Sequence, residues 1–167
     1  MKRRTFIAAG TTTLAWAAIA GHAQAQGAEP NTSKAQPELP KEKLTIVTRG
    51  GKRYEFDVEM ALTDAQQTVG LMWRKEVPPH GGMLFDWHLP RRSMMWMKNT
   101  LVPLDMIFIK EDGTIGAIAE NTVPQSLAVI DSRVPVRATL EIAAGTAAKD
   151  DVRVGDKVES PIFTGQG

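Results

Sequence analysis

The densest run of chemically capable side chains is Trp96-Met97-Lys98-Asn99-Thr100, followed after a connection containing Pro103 by Asp105. Read as a site, Trp96 offers a stacking face, while Lys98, Asn99, Thr100 and Asp105 supply directional polar contacts. That chemistry suits a small polar ligand such as a saccharide or a small anion. The same residues also have a purely architectural reading. Lys98 and Asp105 stand at the two ends of a short connection and can pair, and Asn99 and Thr100 can satisfy the backbone groups of the turn. A hydrolase using Lys98, Asn99 and Asp105 is the enzymatic alternative, and a structural or protein-interaction module is the third.

Other constellations are weaker. Met95 and Met97 with His88 could offer thioether and imidazole ligands to copper. A regular strand, however, points Met94 away from Met95 and Met97, and methionine also fills irregular cores. Glu55, Asp57 and Glu59 alternate along one strand face and could gather a cation, although solvated strand acids are commoner. Nucleophilic catalysis has little support, because no serine sits in a nucleophile-elbow motif and only His80 and His88 follow residue 25. Gly50-Gly51 and Gly81-Gly82 lack the lysine and hydroxyl order of a phosphate loop. No cofactor is expected.

These residues need elements to hold them. Leu44, Ile46 and Thr48 alternate with polar neighbours up to Gly50-Gly51, and Tyr54, Phe56, Val58 and Met60 then alternate with the three carboxylates, which predicts a strand, a turn and an amphipathic strand. Thr63 and Gln66 match a capping box, so a short helix should follow to about Met72, weakened by Gly70. Val77 to Gly82 reads as a loop. Further strands are expected over Met83 to Trp87, Met94 to Met97, Leu104 to Ile109, Ile115 to Ala119, Leu127 to Ile130 and Val136 to Ile142. His88 to Arg92 is read as a connection, Glu111 to Thr114 as a turn, Ala143 to Asp150 as one or two helical turns, and Val152 to Val158 as the closing segment. Eight or nine short strands and two small helices describe a mainly β fold, a compact barrel or sandwich, and exclude a doubly wound parallel sheet or a helical bundle.

The chain begins as an export signal. Lys2, Arg3 and Arg4 precede an apolar stretch from Phe6 to Ile19, and Ala23-Gln24-Ala25 supplies small residues for cleavage after Ala25. Arg3-Arg4-Thr5-Phe6-Ile7 resembles the twin-arginine signature, with ordinary Sec export as the alternative, so a periplasmic or secreted location is expected. The apolar stretch is short for a membrane span, and no stable membrane insertion is expected after cleavage. Residues 26–43 are rich in proline and polar side chains and read as a flexible leader, residues 44–163 as the domain, and 164–167 as a disordered tail. Removing the first 25 of 167 residues, with their three basic side chains, leaves 17 basic and 19 acidic ones and a net charge of −2. That excludes a basic sheath for nucleic acid. There is no cysteine, so the domain must hold itself by its core.

Several blocks then fall into one order: Gly70-Leu71-Met72-Trp73-Arg74, Gly81-Gly82-Met83-Leu84-Phe85, Trp96 to Thr100, Pro103-Leu104-Asp105-Met106, Leu140-Glu141-Ile142 and Val154-Gly155-Asp156-Lys157-Val158. Together they resemble the DUF192 family, also called UPF0127, over most of Phe56 to Val158. The resemblance implies a compact β-rich fold with small helices, often behind an export signal, and implies no reaction.

Overall fold

Period-two alternation builds the first hairpin. β1 (Lys41–Val47) and β2 (Arg53–Ala61) pair antiparallel, with Leu44 opposite Phe56 and Ile46 opposite Tyr54. Residues 29–163 are described by the computed structural model. After β2, the expected capping box starts α1 (Asp64–Val69): the Thr63 hydroxyl accepts the Gln66 amide, and the Gln66 side chain accepts the Thr63 amide. Gly70, at φ 50°, ends the helix before Met72.

The remaining elements are β3 (Gly81–Met95), β4 (Leu104–Ile109), β5 (Ile115–Ala119), β6 (Ile130–Ala143), α2 (Thr146–Lys149) and β7 (Lys157–Glu159). They form one seven-stranded sheet in the order β5-β4-β6-β3-β2-β1-β7, curled into a half-barrel. Only β2 and β3 run parallel, which requires the crossover that carries α1. The curl brings the sheet's two ends together. The Ile115 amide donates to the Asp156 carbonyl at 2.9 Å, and the Val158 amide donates to the Gly113 carbonyl at 2.8 Å.

Both faces of the central strands are covered. Leu84, Ile107, Leu140 and Ile142 join Phe56, Val58 and Ile46 in one apolar cluster. Met83, Phe85, Met106 and Phe108, their out-of-phase neighbours, join Ala61, Leu71 and Met97 in a second. This is why every residue of β4 is buried and its sequence carries no alternation.

The structure departs from the sequence reading in three places. His88 to Arg92 is not a connection: β3 continues through it, with register shifts on either side of Arg91 and Arg92 and with His88 at φ 61°. The irregularity takes Pro90 out of the ladder, so its missing N–H costs nothing there. Likewise Leu127 and Val129 are exposed outside any strand, and β6 runs unbroken from Ile130. Eight or nine strands therefore become seven.

The third departure concerns the leader. β1 begins at Lys41, and the residues before it lie on the domain: the Leu39 amide donates to Glu59, Gln36 to the Gln66 and Gly70 carbonyls, and the Trp73 indole to the Thr32 carbonyl. Glu59, read as a solvated strand acid, is consequently buried and paired with Arg74 at 2.9 Å. The expectations for residues 1–25, 26–28 and 164–167 lie outside the described residues. No described helix is long and apolar enough to cross a membrane.

Gly113 and Gly51 separate backbone strain from steric closure. Their φ values are 78° and 81°, but a Cβ on Gly113 would lie 2.6 Å from the Val158 carbonyl, whereas one on Gly51 meets nothing within 4 Å. Gly51→Ala should cost about 1 kcal/mol of strain, and Gly113→Ala about 3 kcal/mol or more because it also pushes the sheet's ends apart. Urea unfolding of both variants checks the difference.

Candidate functional site

Sheet register places four residues in one lateral row on the same face: Glu59 of β2, Met83 of β3, Glu141 of β6 and Met106 of β4. Leu140 and Ile142, on either side of Glu141 in sequence, point to the opposite face and the first apolar cluster. Glu141 therefore projects among Met83, Met106 and the second cluster. It is 5% exposed, and it has no hydrogen-bond or ionic partner among the described residues. Burial alone pushes its pKa up from an ordinary glutamate's 4.5 to about 8, because a desolvated carboxylate without a cation is disfavoured against the acid.

Glu141 lines a cavity of about 380 Å³. One wall is α1 and the residues that follow it, among them Leu71 and Met72, and the facing wall is β3 with Phe85, Trp87 and Met95. Gln67 fixes α1 against the sheet by donating to the Asp86 carbonyl at 2.6 Å and the Ala61 carbonyl at 3.2 Å. Trp87 is held by its indole bond to the Thr139 hydroxyl at 3.2 Å and by Phe85, whose ring lies 5.7 Å away. Two cations sit on the two tryptophans of the cleft: Arg91 lies 4.2 Å above the Trp87 ring and Lys98 lies 5.0 Å from the Trp96 ring.

The five residues singled out in the sequence are divided by the fold. Trp96, Lys98 and Thr100 line the cleft, and Trp96 keeps 47% of its surface exposed. Asn99, at φ 57°, turns the other way and donates to the Thr32 carbonyl at 3.1 Å, while its own carbonyl accepts the Trp73 amide. Asp105 is fully buried and accepts the Asn121 and Ala147 amides, each at 2.9 Å. It is not paired with Lys98, and the trio Lys98, Asn99 and Asp105 does not share a solvent-open site.

The copper trio is also dispersed. Met97 is sealed in the core, where its sulfur accepts the Thr122 hydroxyl; Met95 lines the cleft; His88 is exposed and bonded to the Leu62 carbonyl at 2.9 Å. His80 meets buried Asp150 at 2.9 Å. A second cavity, of about 350 Å³, lies on the other side of Leu71, but its buried acid, Glu59, is already matched by Arg74 and the Leu39 amide. Glu141 is thus the residue that sequence reasoning missed as a site. The sequence held no signal for it: Val136 to Ile142 alternates apolar with polar residues, and Glu141, like Arg137 and Thr139, falls at the phase that normally faces water.

A family model for DUF192, described as Uncharacterized ACR, matches residues 45–160. Among solved structures, the chain is similar to a Sinorhizobium meliloti 1021 protein provisionally described as a transcription regulator. The two are 46% identical with a TM-score of 0.72, over 75% of this chain and 97% of that one. It is also similar to a protein of unknown function from Novosphingobium aromaticivorans DSM 12444, at 38% identity and a TM-score of 0.71, over 75% of this chain and 91% of that one. No curated protein matches the sequence significantly.

The two buried acids should respond differently to substitution. Asp105→Asn keeps one acceptor but turns an NH₂ toward the second backbone amide, and should cost about 2–4 kcal/mol in denaturant unfolding. Glu141 holds its proton in the folded state between pH 4.5 and about 8, where an unfolded glutamate has released it. Its favourable contribution is therefore complete below pH 4.5 and lost as pH rises toward 8. Glu141→Gln should flatten that decline, gaining on the wild type by up to about 1.4 kcal/mol per pH unit across the window; thermal melts at stepped pH check it.

Proposed function

The chain belongs to the DUF192 family, and from that footing we propose that it is an exported module that binds a small polar ligand, a saccharide by preference, in the cleft between α1 and β3. The observation that carries the reading is Glu141: a carboxyl only 5% exposed, without a partner among the described residues, that lines this cleft. Folded proteins seldom bury a polar group unsatisfied, and one aimed into a cavity gains its partner when something enters.

The rest of the cleft supports a sugar. Trp96 is half-exposed and supplies an aromatic face for the C–H side of a ring, while Lys98 and Asp64 add polar groups to the lining and Thr100 is buried within it. The cavity volume is in the range of small-molecule sites. The proposal includes export: the Arg3-Arg4 signature and the Ala23-Gln24-Ala25 cleavage site direct the mature protein to the periplasm. Nucleic acid is not the proposed ligand, because the chain after residue 25 carries a net charge of −2.

Native mass spectrometry of the mature protein, purified from the exported fraction beside a denatured control, should reveal a retained small molecule and a mass consistent with cleavage after Ala25. In a saccharide panel followed by tryptophan fluorescence, Trp96→Ala should weaken binding tenfold or more while unfolding stays cooperative. Asn99→Ala, which loses the Thr32 contact instead, should bind like the wild type. Equal binding by folded Trp96→Ala would reject the cleft as the site.

A further inference from the structure

We infer that the cleft selects neutral N-acetylated amino sugars over their free-amine counterparts, with the Glu141 carboxyl meeting the acetamido group. This inference rests on the saccharide reading and gives it a direction. A carboxylic acid offers one O–H donor and a carbonyl acceptor, which together match an acetamido group: its carbonyl accepts from Glu141 and its N–H donates back. The walls beside Glu141 are apolar, with Leu71, Met72 and Phe85 available to an acetyl methyl.

The surrounding charges oppose an ammonium. Arg91 of β3 and Lys98 beyond its end stand on the cleft's two tryptophans, and Asp64 of α1 is the remaining charged group of the lining. From β4, the neighbour across the sheet is Met106; from β3 it is Met83, with the matched pair Glu59 and Arg74 beyond it on β2. On β6 itself, Arg137 is engaged by Asp86. Among the described residues, none of these cations pairs with Glu141. A free amine would have to ionise it in a desolvated setting and pass two fixed cations.

The test compares triacetylchitotriose with its fully deacetylated form, at a pH of about 6 where the amines are charged, by NMR shift perturbation with Glu141 carboxyl resonances recorded alongside. The acetylated sugar should bind at least tenfold more tightly. Its affinity should fall as pH rises beyond about 8, approaching tenfold per pH unit, and Glu141→Gln should bind it with that pH dependence removed. Deacetylated sugar binding as tightly or more tightly, or a Glu141 titration midpoint in the ordinary carboxylate range, would overturn the inference and leave the saccharide reading intact. If neither these sugars nor any member of the wider panel perturbs the cleft, the saccharide reading fails and the inference with it.

Discussion

The pairing of β3 with β6 is the constraint on which the rest of the molecule depends. These are the two longest strands, and each also carries another strand on its outer side: β2 joins β3, and β4 joins β6. Their close approach at one end requires Gly82, because a Cβ there would collide with the Glu141 carbonyl. Fixing Met83 opposite Glu141 settles which face the neighbouring residues of both strands occupy, as far as the register shift after Asp86. A slip of one residue would send Leu140 and Ile142 to the cleft side and Glu141 into the other apolar cluster. The register that closes the core and the register that places the unpartnered carboxyl are one and the same.

The buried acids of this protein illustrate two uses of one side-chain type. Asp105 is spent on architecture: it gathers the Asn121 and Ala147 amides and so pins the β5-to-β6 loop and the start of α2 to β4. Asp86 receives Arg137 and the His88 amide at the bulge in β3, and Glu59 receives Arg74 and the Leu39 amide. Each has its charge or its lone pairs matched from within. Among the described residues Glu141 has neither, and its burial raises its pKa to about 8.

Much of the fold was legible in the residues. Period-two alternation located β1 and β2, Thr63 and Gln66 announced the helix start, and Asp112-Gly113 marked the β4–β5 turn, where Asp112 takes the Thr114 amide and hydroxyl. The candidate site was legible only in part. The stretch from Trp96 to Thr100 does border the cleft, but Asn99 and Asp105 turn inward to backbone partners, and local sequence cannot say which polar side chain of a tight connection faces a cavity. The bulged middle of β3 was misread because Pro90 and the polar residues around it carry turn signals, and only the partner strand overrides them.

By itself, the sequence determined a cysteine-free, mainly β domain behind an apolar N-terminal stretch, because hydrophobic period, caps and turn residues act over a few positions and are written locally. Tertiary structure alone decided that Glu141 is buried and has no partner among the described residues. Alternation gives a strand two faces without saying what covers the second one, and that cover comes from Leu71 and Met97, far from Glu141 along the chain. Burial and pairing belong to the assembled sheet, so the chemistry of that carboxyl does too.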